Sequence, residues 1–372
     1  VEIDNDPVPP TGGDRPQEPA SSGAAFREFF KLGVEHIWTG YDHLLFLLLL
    51  VLRFLFGAFQ AGAFPAISRL MADWMPLKER ATAQGIVWMS SRIGGAIAPH
   101  LMVPLILWSN WEGSLAIVAV LGFGWCAAFW PWLRNRPEQM RRVNPSELSL
   151  IAAGRAVRAA SHAGVPWRRF LGSANIWALC LMYGCGGFTA SFFITLLPDY
   201  LKTHRMLSEE EAKWLSSVPL ACGIVACVAG GLLSDWIVRR TGNRKWGRRW
   251  HGLVGYGCAG LAILSTIWVR DVWALGALLS AAFFFFDLTM GPAWAACADI
   301  GERPAGTVGG AMNMIGNFGA AAGAKMAGYL FGKEIGGFAG NEIVFVLFAC
   351  SFWLGALCWL RVDVTEPLGE RK

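Results

Sequence analysis

The sequence predicts an all-α polytopic membrane protein carrying an internal duplication, and three observations predict it. Of 372 residues, 54% are hydrophobic and only 16% are charged, against about 25% charged in soluble domains. Long apolar runs recur at 44–70, 82–107, 113–133 and 272–298, each sufficient for a hydrocarbon core that takes about 20 residues of helix. The stretch Glu302 to Ala321 also has an earlier copy that opens at Glu79. Gly85, Arg92, Gly94, Gly95 and Ala96 of the first copy recur at the same spacing as Gly310, Asn317, Gly319, Ala320 and Ala321 of the second. A repeat of this length points to a duplicated helical bundle, and in membranes such bundles form the two lobes of transporters.

Taken from the start, residues 1–24 are rich in Pro, Gly and acidic side chains without periodicity, so a disordered tail is expected. They lack the basic start and apolar centre of a signal peptide, and a chain opening on Val1 is expected to have lost its original start. The nine cysteines lie within apolar segments with no Cys-x-x-Cys, which argues against a disulfide framework or a zinc site. No cofactor is implied. The net charge of +5 comes from basic residues in loops between spans, where it reports topology and not nucleic-acid binding. With no nucleophile elbow and no phosphate loop, an enzyme is not expected.

Residues 25–51 contain Gly40-Tyr41-Asp42-His43 running into Leu44-Leu45-Phe46, with His36 upstream. This segment resembles the HupE/UreJ family of nickel and cobalt accessory proteins, which implies His36, Asp42 and His43 as metal ligands. Two readings stand. Seven residues separate the histidines, about 10 Å on an unbroken helix, so joint ligation needs a break near Thr39-Gly40. The plainer reading is an interfacial segment with solvated histidines.

From Leu52 the chain runs Arg53-Phe54-Leu55-Phe56-Gly57-Ala58-Phe59-Gln60-Ala61-Gly62, then Trp74-Met75-Pro76 and Glu79-Arg80. Ser91-Arg92-Ile93-Gly94-Gly95, Gly230-Gly231-Leu232-Leu233-Ser234-Asp235, Asp287-Leu288-Thr289-Met290-Gly291-Pro292 and Asn313-Met314-Ile315-Gly316-Asn317 follow. In order and spacing these resemble the major facilitator superfamily, and within it the anion:cation symporters that carry sugar acids with protons. The resemblance implies an incomplete form of that fold. The second copy of the duplicated stretch is fifth in a set of six spans, whereas the first has one span before it, so three helices are expected to be missing ahead of Arg53.

Nine spans are expected: 44–70, 82–107, 113–133, 176–200, 215–238, 252–269, 272–298, 306–331 and 343–360. They give a three-helix partial N lobe over 52–133, a cytoplasmic linker over 134–173, a six-helix C lobe over 174–361 and a cytoplasmic tail over 362–372. Asn144-Pro145-Ser146-Glu147 reads as the capped start of a short linker helix. Loops alternate in charge: Arg134, Arg136, Arg141 and Arg142 in one and Arg239, Arg240, Arg244 and Lys245 in another lie on the same side. The positive-inside rule then puts the N terminus outside and the C terminus in the cytoplasm of a bacterial inner membrane.

Counting 1.5 Å per residue from the cytoplasmic ends, Gln60, Arg92, Asp287 and Asn317 all fall about 15 Å in, the middle of a hydrocarbon core about 30 Å thick. Charges there are costly and should face a cavity or pair with each other. Arg92 is the candidate for a substrate carboxylate, because guanidinium presents a planar fork of donors; hydrogen bonding to backbone carbonyls is the equal alternative. By resemblance Arg53 belongs to a motif coupled to proton movement, against simple snorkelling. Gln60 stands where the family usually has Glu, and Gln releases no proton. Asp287, set among four phenylalanines at 283–286, is expected to take and release one near neutrality, or else to be a structural carboxyl.

Asn313 and Asn317 share a helical face and either bind substrate hydroxyls or join helices. Tyr183 and Trp294 are candidates for the cavity wall, against interfacial anchors. Resemblance assigns Asp235 to a gate on the start of the facing helix near Ala81, with Arg239 and Arg240 beside it, at about 0.3–2 kcal/mol; a plain helix cap is the alternative. The function expected is proton-coupled symport of a small organic anion by a monomer in the lipid bilayer, impaired by the missing helices. A metal-handling accessory protein and a transport-dead remnant are the alternatives.

Overall fold

The computed structural model describes residues 30–31, 41–152 and 165–368. The chain divides into two compact units, 1–60 and 61–372. Among the described residues the first unit consists chiefly of helix α1 (Tyr41–Ala61), whose Leu-rich run has no polar residue between Leu44 and Arg53. The tail 1–24 lies outside the described residues, as do His36 and the side chains of Asp42 and His43. Among the described residues no group of His, Cys, Asp and Glu is placed to hold a metal ion.

The second unit is a bundle of helices α2 (Ala63–Trp74), α3 (Arg80–Trp108), α4 (Trp111–Trp132), α5 (Pro145–Ala152), α6 (Trp167–Gly172), α7 (Ala174–Ser191), α8 (Leu197–Thr203), α9 (Glu209–Thr241), α10 (Arg244–Ser265), α11 (Val272–Asp287), α12 (Met290–Gly301), α13 (Ala305–Leu330) and α14 (Gly340–Arg361). A two-residue β-ribbon, Glu334–Ile335 with Phe338–Ala339, joins α13 to α14. Local chemistry sets many boundaries. Asn110, Asn243 and Asp271 cap α4, α10 and α11 by accepting from backbone N–H groups at 2.7, 3.1 and 2.8 Å, which satisfies donors the first turn leaves orphaned. Ser208 and Glu211 form a reciprocal capping box on α9, and Gly242, at φ +69°, ends that helix in the left-handed region. Asn144 accepts from Glu147 N at 2.7 Å and starts the short α5.

Seven helical stretches among the described residues are long and apolar enough to cross a membrane, two fewer than the nine spans expected. The two outside that set, α3 and α13, are the duplicated pair. Helix α13 is rich in glycine, and α3 carries Arg92 and His100 within its span, which lowers the apolarity of each. A Cβ on Gly85 or Gly231 would strike the backbone carbonyl of Cys227 or Ala81, so α3 and α9 meet backbone to backbone. Gly184, Gly187, Gly319 and Gly323 bring α7 and α13 together in the same way, the small-residue packing that helices use in lipid. The expected span 272–298 is broken at Leu288-Thr289 into α11 and α12, and a π turn over Phe192–Leu196 interrupts the expected span 176–200.

Two contacts position the site. Helix α3 packs against α9 and α12, while α2 packs against α13 and α12, so the helices ahead of the linker are seated on those after it. The segment after α14 folds back on the same end: Asn175 at the start of α7 exchanges two hydrogen bonds with the Asp363 backbone, at 2.7 and 2.8 Å. Leu368 N donates to Ile300 O at 2.9 Å.

Candidate functional site

Arg92 stands on α3 and Asp287 ends α11, and the two meet. Nε donates to Oδ2 at 2.7 Å and Nη2 to Oδ1 at 2.6 Å, the bidentate fork that guanidinium geometry favours. The Asp287 side chain is fully buried and that of Arg92 only 11% exposed. The Arg92 guanidinium also lies 4.9 Å from the Phe283 ring centre and 5.4 Å from that of Trp88, a cation–π setting that holds its charge where water is scarce. Charges buried this deeply persist only when paired, and Gly223 of α9 leaves room for the carboxylate, because a Cβ there would strike it.

An aromatic wall adjoins the pair. Phe64 of α2 stacks on Trp88 at 4.6 Å, Trp294 of α12 lies 5.5 Å from Phe64 and 6.2 Å from Trp88, and Tyr183 of α7 meets Trp294 edge-on at 5.7 Å. Trp294 Nε1 donates to the Tyr183 hydroxyl at 3.3 Å. Trp294 is fully buried, which does not fit the alternative of an interfacial anchor: α2, α3 and α7 each bring an aromatic ring to it. Asn317 Nδ2 donates to the Asn313 backbone carbonyl one turn back, at 2.8 Å, on an exposed part of α13. The sequence-nominated Arg53 and Gln60 belong to α1 of the first unit.

At one end of α3 a second constellation forms. Asp235, fully buried on α9, accepts from Thr82 N at 2.6 Å, Thr82 Oγ1 at 2.7 Å and Ala81 N at 3.4 Å. Its carboxylate thus sits on the positive end of the α3 dipole. Arg239 Nη1 donates to Lys78 O at 3.4 Å, and Arg240 is exposed. Sequence reasoning missed the strongest partners. Arg248, fully buried, donates to Asp235 Oδ1 at 2.6 Å, Ser234 Oγ at 2.9 Å and Leu77 O at 3.2 Å. Arg80 bonds Asp299 at 2.6 Å and Ala72 O at 2.9 Å. Arg69 bonds Asp73 at 2.9 Å and the Arg303 carbonyl. Arg80 carried a signal, since it belongs to the repeated Glu-Arg turn, whereas Arg248 was masked by a basic run that reads as topology. A cavity of about 530 Å³ lies between α2 and α4, lined by Ile67, Leu70, Phe129, Leu133 and Arg136 among others, and includes none of the nominated residues.

A bundle of apolar helices joined by a buried ion pair and by a second charge cluster fits a secondary transporter. The chain belongs to the Major Facilitator Superfamily, whose family model matches residues 36–324. Among its relatives, the probable sulfoacetate transporter SauU of Cupriavidus necator is 32% identical over 332 residues, covering 89% of this chain and 76% of that one. The probable galactarate/D-glucarate transporter GudP of Escherichia coli is 30% identical, over 84% and 70% of the two chains. The hexuronate transporter of Bacillus subtilis is 23% identical over 93% and 81%. The family match takes in residues 36–51, part of the segment that resembles the HupE/UreJ family.

Proposed function

We propose that this protein carries a small organic anion, of the sulfonate, sugar-acid or related carboxylate class, by exchanging the anion for Asp287 on Arg92. The single observation that supports this is the two-point Arg92–Asp287 pair, which spans α3 and α11. A carboxylate or sulfonate offers the same two acceptor oxygens as Asp287, so an incoming anion competes for the fork directly. Once displaced, Asp287 is a buried carboxylate beside Phe283 and Phe286 with no cation, and neutralisation by a proton costs less than keeping the charge. Anion binding and proton uptake are thereby linked without any contribution from Gln60. The names of the relatives, which couple this family to acid substrates, support the same class.

The Asp235–Arg248–Thr82 cluster serves as the gate, closed in this conformation, with Arg80–Asp299 beside it. By the distribution of arginines the gated end is cytoplasmic. Helices α3 and α13 cross the membrane with the seven apolar stretches, giving nine spans in two lobes.

Calorimetry in two buffers of different ionisation enthalpy tests the exchange, with sulfoacetate and D-glucarate as ligands. Wild-type protein takes up about one proton per anion bound, Asp287→Asn binds with none, and Arg92→Met does not bind. Undiminished binding by Arg92→Met, or equal proton uptake by Asp287→Asn, overturns the exchange.

A further inference from the structure

Gln84, Trp88 and Arg92 follow one another at four-residue intervals on α3, so they lie in a row along one face. The row starts two residues past Thr82, which the gate carboxylate caps, and reaches Arg92 about 12 Å further on by helical rise. Its two lower members are anomalous. Gln84 is fully buried and Trp88 8% exposed, yet neither the amide nitrogen nor the amide oxygen of Gln84, nor Nε1 of Trp88, has a hydrogen-bond partner among the described residues. Buried polar groups are satisfied in the great majority of native structures, because an orphaned one keeps its full desolvation cost. Trp88 has not been left loose: Phe64 stacks on its ring at 4.6 Å and the Arg92 guanidinium lies over it. The indole is held rigidly while its N–H goes unused.

Resting on the reading of Arg92 as the anion site, we propose that Trp88 Nε1 and the Gln84 amide recognise the far end of the substrate as the gate opens, selecting anions that carry oxygen beyond the group held by Arg92. The chemistry is specific. Two N–H donors suit sulfonate, carboxylate or hydroxyl oxygens, and the Gln84 carbonyl adds an acceptor that only a hydroxyl or a protonated oxygen satisfies. An alkyl tail would leave all three groups unpaired, and a site built to hydrogen-bond rejects an analogue that lacks the matching group far more strongly than an apolar pocket does.

The test compares oxygen-rich acids with oxygen-poor counterparts of matched length: sulfoacetate against propionate, and D-gluconate against hexanoate. Binding is measured on the full chain in detergent, for wild type, Gln84→Leu, Trp88→Phe and Arg92→Met. Wild type prefers the oxygen-rich member of at least one pair. Gln84→Leu weakens that member tenfold or more and leaves its counterpart within twofold, and Trp88→Phe, which keeps the stacked ring, acts in the same direction. Gln84→Leu also melts at or above the wild-type temperature, since it removes an unsatisfied amide; a glutamine with only a structural role would lower the melting point. Equal weakening of both acids, or no change in either, overturns the inference. Should Gln84→Leu fail to fold, Trp88→Phe decides by the same criterion. If Arg92→Met binds every acid as wild type does, or wild type binds none, the anion-site reading fails and the inference with it.

Discussion

Arg92 and Asp287, 195 residues apart, are joined by two parallel hydrogen bonds of 2.7 and 2.6 Å, with the carboxylate fully buried and the guanidinium nearly so. Neither charge is tolerable there alone, and together they link the helix that carries the first copy of the duplicated stretch to the C-terminal half of the bundle.

Removing one partner therefore costs more than removing both. Arg92→Met strands a buried carboxylate and should destabilise by about 3–5 kcal/mol, while the Arg92→Met/Asp287→Leu double variant should lie close to wild type or above it. Thermal unfolding of the single and double variants in one detergent measures the coupling; additive losses would mean the pair carries no interaction.

The duplicated glycines should respond in opposite ways. A Cβ at Gly85 strikes the Cys227 carbonyl, whereas a Cβ at Gly310 meets nothing within 4 Å. Gly85→Ala should cost about 1–3 kcal/mol through overpacking of backbone on backbone. Gly310→Ala should be neutral, or gain up to about 1 kcal/mol from helix propensity. Unfolding temperatures of the two variants, each against wild type, read this directly.

Acid should loosen the C-terminal clasp. Burial opposes ionisation of Asp363, but hydrogen bonds from Lys245 and Thr365 outweigh it and hold the carboxyl at about 2. A carboxyl lowered on folding contributes stability that is fully present above its unfolded pKa of about 3.9 and is lost as pH falls from there through about 2. Asp363→Asn should flatten this part of the stability–pH curve, with little pH dependence of its own above pH 5. A wild-type curve already flat from pH 5 to 2 would count against the clasp.

Much of this was legible in the chain itself. Apolar runs, capping residues such as Asn144 and Asp271, and the repeated glycine pattern are local features, and each acts over a turn or a span. The order of the Asp235, Asp287 and Asn313 segments was sufficient for the family. The partners of those residues were not legible. Nothing local distinguishes Arg248, buried on Asp235, from Arg240 a few residues earlier, which is exposed. Nor does the sequence around Gln84 reveal that its amide has no hydrogen-bond partner among the described residues.

What the sequence determined by itself is that the chain forms glycine-packed membrane helices with a few polar residues deep within them, because the lipid core admits little else and the cost of each polar group is set residue by residue. Which of those polar residues meet was decided only by tertiary structure. Arg92 finds Asp287, Asp235 finds Thr82 and Arg248, and Gln84 finds no partner among the described residues, because the pairing of buried groups depends on how α3 is seated against α9 and α12, and that seating arises from backbone contact at glycines distant in the chain.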